Sequence, residues 1–278
     1  MSSESSPVSQ FQSPIKPTSP PAAYIGGKRA LSPRLVEMIS ACDHATYAEP
    51  FVGMGGVFFR RRTRPRFEVI NDISADVTTL FRILQRHRQS FMEELKWRFS
   101  SRAEFDRLMQ VEPHTLTDLE RAARFLYLQK TAFGGRVEGR TYGVDRERSR
   151  FNLARLGPML DDLHERLQGV TIERLPFADF LRRYDGPDVL FYLDPPYHGC
   201  ESDYGAGVFS PADFDHLAQG LSELQGRFIL SINDTPVVRE TFADFRVLPV
   251  ALTYRISGKA TPAAELFVTG SERPVFGL

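Results

Sequence analysis

The stretch "DVLFYLDPPY" (188–197) decides the fold. Val189 to Leu193 form an unbroken apolar run, too short for a helix, that ends at Asp194 and two prolines without backbone N–H groups. A strand buried on both faces reads this way, as strands do in a parallel sheet covered by helices. Working outward, "VTIERL" reads as a strand and "FADFLRRY" as a helix on the amino-terminal side. On the other side come a helix from Pro211 to Leu224, the strand "RFILSIND" and a short helix. Two terminal strands follow, around "FRVLPVALTYRI" and "ELFVTGS". Further upstream, "YIGGKRALSPRLVEMI" runs from a loop into an amphipathic helix. "ATYAEPFVG" (45–53) is a strand that breaks at Gly53, "GGVFFRRR" a helix start, and "RFEVINDIS" (66–74) a second strand before a helix from Ala75 to about Arg88. The alternation predicts an α/β fold with a doubly wound, mostly parallel sheet. The link between the last two strands, about 257–264, is too short for a helical crossover, so they are expected to pair antiparallel.

The segment between the second strand and "VTIERL" is helical and charged, with "DLERAARFLYLQKTAF" its clearest amphipathic stretch. This divides the chain into an α/β domain of residues 23–89 and 170–278 and a helical insertion of residues 90–169. Residues 1–22 are rich in Ser and Pro and too poor in apolar side chains to offset the entropy of ordering, so they read as a disordered tail. Trp97 and Phe99 are expected to pack within the insertion. With 42% hydrophobic and 25% charged residues and no long apolar run, the chain reads as soluble and without a membrane span. Two distant cysteines, Cys42 and Cys200, and six scattered histidines suggest neither a disulfide framework nor a metal site, and point to a reducing cytoplasm. The formal net charge is zero, yet residues 121–155 hold nine basic side chains against three acids, and "RRRTRPR" (60–66) holds five arginines. On charge alone these clusters suit a solvated face as well as a polyanion.

In open α/β sheets ligands bind beyond the carboxyl ends of the strands, and three of these ends are unusual. "EPFVGMGG" supplies a turn that lets backbone approach a ligand closely, although such turns also serve as plain strand-to-helix connections. "ND" at 71–72 puts Asp72 where a carboxylate can hold a ribose hydroxyl pair or cap the next helix. "LDPPY" leaves the Asp194 carboxylate and the Pro195 carbonyl as neighbouring acceptors, suited to a planar amino group on whose ring Tyr197 can stack.

This ordered series resembles the Dam-like, α-type DNA adenine-N6 methyltransferases, which use S-adenosylmethionine, from about Tyr24 to Gly270. "YIGGK" (24–28) is similar to the family's amino-terminal cofactor motif, "EPFVGMGGVF" to its FxGxG loop, "NDIS" to its ribose-binding acid and "DPPY" to its catalytic tetrapeptide. The resemblance implies a Rossmann-like methyltransferase fold whose insertion is the DNA target-recognition domain. It implies cofactor contacts from Tyr24, Lys28, Phe51, Gly53, Asp72, Asp179, Phe180 and Asp194, with Asp179 and Phe180 at the adenine ring. Asp194, Pro195, Pro196 and Tyr197 then form the catalytic turn, and no metal is involved. Where Dam-like enzymes commonly carry "YNGLxR", this chain has "FGGRVEGR" (133–140), which leaves Arg136, Arg140 and Lys130 as candidate DNA contacts and the target sequence open. The implied substrate is adenine flipped out of double-stranded DNA at a specific site, for an enzyme acting as a monomer or weak dimer in a bacterial or phage-infected cell, within restriction-modification. Methylation of cytosine N4 or of an RNA base, and an inactive DNA-binding relic, are the alternatives. Intact "DPPY" and "FVGMGG" speak against the relic.

Overall fold

A computed structural model describes residues 11–144, 149–205, 207–256, 259–272 and 275. In chain order the elements are β1 (Ser13–Pro14), α1 (Ser32–Ala41), β2 (Thr46–Glu49), β3 (Thr63–Arg64), β4 (Phe67–Asn71) and α2 (Ala75–Arg86). Next come α3 (Arg88–Lys96), α4 (Arg102–Met109), α5 (Asp118–Thr131) and α6 (Leu153–Leu167). The chain then alternates through β5 (Thr171–Glu173), α7 (Phe177–Tyr184), β6 (Val189–Leu193), α8 (Ala212–Ser222), β7 (Arg227–Asn233) and α9 (Pro236–Thr241), and ends in β8 (Arg246–Ile256) and β9 (Lys259–Thr269).

The main sheet runs β5-β4-β2-β6-β7-β9-β8. Its first five strands are parallel, and β9 lies antiparallel between β7 and β8. Strand order reverses between β2 and β6, which leaves a crevice at their carboxyl ends. The period of two in β6 sorts its side chains onto two faces: Leu190 and Tyr192 join the apolar cluster under α1 and α2, while Phe191 and Leu193 join the one under α7 and α8. That double burial is why an uninterrupted apolar run was needed at 189–193.

The stretch "GGVFFRRR" forms only a short 3-10 turn, Phe58–Arg60, because Gly55 at φ +72° and a Gly56 held in the same turn keep the chain folded back before it. Helices α3 to α6 have no core of their own among the described residues. Phe91, Phe105, Phe125 and Leu160 belong to the same apolar cluster as Leu80 of α2 and Tyr47 of β2. A buried charge cluster fastens α6 to the sheet, where Glu68 accepts from Arg61 at 2.6 Å and from two nitrogens of Arg166 at 2.7 Å. Removing one member of such a buried set costs about 3–5 kcal/mol, because the others lose their counter-charge. Trp97 and Phe99, expected to pack, are instead 80% and 66% exposed just past the end of α3.

The tail also departs from expectation over residues 11–22. Ser13 and Pro14 pair antiparallel with Arg64 and Thr63, and the backbone N–H groups of Ile15 and Thr18 donate to Arg62 and Phe59 carbonyls. Main-chain bonding, to which composition is blind, orders the segment. Residues 1–10 lie outside the described residues. Cys42 is buried, and Cys200 is exposed in the loop after β6, its N–H donating to the Tyr197 carbonyl at 2.9 Å. Among the described residues no helix is long and apolar enough to cross a membrane.

Candidate active site

The crevice opens into a cavity of about 1090 Å³ across the carboxyl ends of β2, β4 and β6. Its wall includes Tyr24, Lys28, Phe51, Gly53, Asp72 and Asp194, so six of the eight expected cofactor contacts share one space. The glycine turn is sterically fixed. Gly53 adopts φ +50°, and a Cβ there would meet the Tyr24 ring at 3.1 Å. Asp72 follows β4 and is held in place by main-chain donors: Gly53 N–H donates to Oδ2 at 2.9 Å and Ser74 N–H to Oδ1 at 2.8 Å. Burial pushes its carboxyl up to about 6, with both N–H bonds pulling the other way. Asp72 does not cap α2, whose N-cap is Ser74 without a side-chain cap bond; its carboxylate lines the cavity.

Asp194 stands at the end of β6 with a different partner. The Lys28 ammonium lies 2.7 Å from its Oδ1, donates to the Tyr197 hydroxyl at 2.5 Å, and sits 4.2 Å from the centroid of the Tyr197 ring. The Lys28 side chain is 1% exposed, and its Nζ is 3.6 Å from the buried Glu265 of β9. Burial raises the Asp194 carboxyl to about 6, opposed by the Lys28 charge. Ser231 of β7 donates to Asp194 Oδ1 at 3.3 Å and lies 2.9 Å from the Tyr192 hydroxyl. The turn after β6 is clamped by Asn233, which accepts from His198 N–H at 2.9 Å and donates to His198 O at 3.0 Å. Pro196 lines the cavity, whereas Pro195 is buried behind it.

Three rings make a cage at the other end of the cavity. Phe51 lies 5.6 Å from Phe177 and 6.0 Å from Phe209, and those two rings are 5.9 Å apart. Phe177 and Phe209 were not among the expected contacts. Phe177 opens α7, directly after the third strand end, and that position is the signal that points to it. Nothing local marks Phe209. Asp179 and Phe180 take no part in the wall: Asp179 is half-buried and ion-paired with Arg182, and Phe180 is fully buried against Tyr184 at 4.9 Å. With each helical residue turning about 100°, only the leading residue of α7 meets the strand ends. Glu49, at the end of β2, is a further wall residue; its Oε2 accepts from the Tyr47 hydroxyl at 2.6 Å, and burial pushes its carboxyl up to about 8. Tyr204 also lines the cavity and donates to the Ile25 carbonyl at 3.3 Å.

The candidate DNA contacts separate. Arg136 is exposed, but Lys130 sits on the cavity wall at the end of α5. Arg140 is partly buried, its Nε donating to Gln129 Oε1 at 3.0 Å, so it braces the loop that bears it. Arg146 and Arg148 of the basic cluster lie outside the described residues.

The family model for D12 class N6 adenine-specific DNA methyltransferases matches residues 24–256. The chain belongs to that family. This methyltransferase moves a methyl group from S-adenosylmethionine to N6 of adenine in DNA. The cavity fits that cofactor: the Phe51, Phe177 and Phe209 cage suits a flat base, and the Asp72 carboxylate at a strand end suits ribose hydroxyls. The chain is similar to the Type II methyltransferase M.CviBI of Paramecium bursaria Chlorella virus NC1A, 23% identical over 226 residues, covering 80% of this chain and 86% of the relative. Similar solved structures include a putative RNA methyltransferase from Pyrococcus horikoshii, 7% identical with TM-score 0.38, covering 86% of this chain and 80% of that one. Another is a SAM-dependent O-methyltransferase from Thermotoga maritima, 12% identical with TM-score 0.35, covering 87% of this chain and 65% of that one.

Proposed function

We propose that the enzyme methylates a single adenine rotated out of double-stranded DNA at a defined sequence, with Asp194 as the acceptor that holds its amino group. The observation that carries this reading is the Lys28 ammonium, which rests on Asp194 Oδ1 and over the Tyr197 ring. A nitrogen bearing hydrogens already uses the acceptor and the ring face that an aminopurine needs. N6 of adenine is a poor nucleophile because its lone pair is delocalised into the ring. Asp194 accepts a hydrogen bond from N6 and stabilises the positive charge that grows there. Bound S-adenosylmethionine supplies an electrophilic methyl group, whose C–S bond electrons stay on sulfur as the N–C bond forms. The N6 proton leaves through Asp194 to water, a step suited to a carboxyl raised to about 6.

The Lys28 ammonium leaves Asp194 Oδ1 as the base enters, because the two nitrogens compete as donors for one acceptor, and the positive charge that then grows on N6 repels a cation about 4 Å away by about 4 kcal/mol at an effective dielectric of 20. Glu265, 3.6 Å away, keeps its charge compensated during that exchange. Tyr197 then offers its ring to the extruded base, whose unstacking costs a few kcal/mol. Asp72 and the aromatic cage hold the nucleoside part of the cofactor, and Tyr24 with Gly53 its methionine part. The exposed Arg136 meets phosphate, as salt-dependent DNA binding requires.

The Type II name of the viral relative supports a place in restriction-modification. The working form we propose is a monomer or weak dimer in the cytoplasm of a bacterial or phage-infected cell. The test has two arms on one duplex sequence. With adenine at the target, methyl transfer from labelled S-adenosylmethionine is expected, and Asp194→Ala should abolish it. With 2-aminopurine at the target, which has no 6-amino group and reports only the position of the base, a fluorescence rise on binding is expected. A silent 2-aminopurine signal beside active methylation of the adenine duplex would rule out extrusion.

A further inference from the structure

One buried side chain joins the insertion to the cofactor cavity, and the chemistry above leaves it unused. Gln129, 1% exposed near the end of α5, donates from Nε2 to the Ala23 carbonyl and to the Gly135 carbonyl, both at 3.1 Å, while its Oε1 accepts from Arg140 Nε. The Gly135 carbonyl also accepts from Ile25 N–H at 3.0 Å. The loop of residues 133–140 is therefore bonded to the segment that carries Tyr24. Gly135 is obligatory at this contact. Its φ is +70°, and a Cβ would lie 2.8 Å from Ala23 C and 2.9 Å from Tyr24 N, both backbone atoms. Gly134, beside it, has nearly the same φ of +68° and nothing within 4 Å of its Cβ position. Tyr24 in turn packs on Gly53, whose N–H fixes Asp72.

We infer that Gln129 and Gly135 are positioning residues that fasten the 133–140 loop to the cofactor wall at 23–25, so that DNA on the loop and cofactor in the cavity favour one another's binding. The inference rests on the reading that this loop meets DNA. Two ordering costs are shared: a loop held by DNA also holds Tyr24, and a Tyr24 held by cofactor also holds the loop. Linkage makes the effect reciprocal, with one coupling factor for both ligands.

Calorimetry on the full-length enzyme tests it, with S-adenosylhomocysteine as probe, alone and with a duplex cut from DNA that the wild type methylates. For wild type, the duplex is expected to tighten probe binding about fivefold or more. Gln129→Leu and Gly135→Ala should each weaken the probe alone about tenfold, since they leave carbonyls unbonded or push the two segments apart, and should bring the coupling factor close to one. Gly134→Ala carries the same backbone strain into open space and should keep both values within about twofold of wild type. Equal losses in Gly134→Ala and Gly135→Ala would overturn the fastening, as would wild-type behaviour of Gln129→Leu. If Gln129→Leu does not fold, Arg140→Gln takes its place at the outer end of the bond chain; it should lower the coupling factor and spare the probe alone, and unchanged coupling would overturn the inference. A wild type that binds the duplex and shows no coupling refutes the linkage alone. A wild type that methylates no DNA supplies no such duplex and refutes the DNA reading, and the Gly134 and Gly135 variants, measured without DNA, still decide the fastening.

Discussion

Asp72 and Asp194 end two strands of one sheet, both with carboxyls pushed up to about 6 by burial, yet they are satisfied in opposite ways. Asp72 is held by main-chain N–H groups of Gly53 and Ser74, donors that cannot leave without unfolding the turn. Asp194 is held by a side-chain cation, Lys28, which has a second carboxylate within reach. The contrast teaches that the two ends of the cavity are prepared for different events. The Asp72 end is preorganised, with its charge fixed before any ligand arrives. The Asp194 end is exchangeable, because its acceptor is kept in use by a group that can be displaced.

Substitution at the two acids is the strongest way to break that contrast. Asp194→Asn is expected to lower the single-turnover methylation rate by about 10²–10³, with cofactor affinity within about threefold of wild type. Asp72→Asn should do the reverse, weakening cofactor by about tenfold or more in calorimetry and sparing the rate at saturating cofactor. Equal rate losses in both variants would show that the two ends act as one. A smaller effect separates the partners. Lys28→Met removes the charge that holds Asp194 down, so the acid limb of the pH–rate profile, centred near 6 in wild type, should move up by about one unit. The sign follows from Asp194 being the acceptor: rate is lost as pH falls and the carboxylate is protonated. Its effect on folding has the opposite sign, since a folded value above the ordinary 3.8 makes Asp194 destabilising as pH rises from about 4 to about 6. Thermal melts of wild type against Asp194→Asn should therefore diverge across that window, with the variant relatively more stable at the upper end. The smallest change expected is for Ser231→Ala, whose long 3.3 Å bond to Asp194 is neutral on the donor side; the rate should fall about threefold or less.

Much of this was legible in the sequence wherever a local pattern has one structural solution. An apolar run closed by two prolines at 189–196 has to be a buried strand with a stiff exit, and the glycines at 53–56 have to make a turn. The rest depends on partners far along the chain. Strand β9 lies between β7 and β8, with Phe267 in one apolar cluster and Leu266 and Val268 in the other, and the link of two residues after Ile256 is shorter than the pattern indicated. Lys28 and Asp194 stand 166 positions apart in sequence, and charge alone marks neither as the other's partner. Within "PFADF" the phase of the helix decided which residue faces the cavity, and the first aromatic, Phe177, does so while Asp179 and Phe180 do not. The same holds for Arg140, whose charge suggested phosphate and whose bond to Gln129 makes it a brace.

The two cysteines give the chain an experimental property that its chemistry does not require. Cys42 is buried and its thiol is pushed up to about 11, so alkylating reagents have little hold on it. Cys200 is exposed, with its own N–H bonded to the Tyr197 carbonyl. A fluorophore or spin label on the unmodified protein therefore lands on one atom, three residues beyond the tyrosine that Lys28 covers, where it would report the exchange of ammonium for base proposed above.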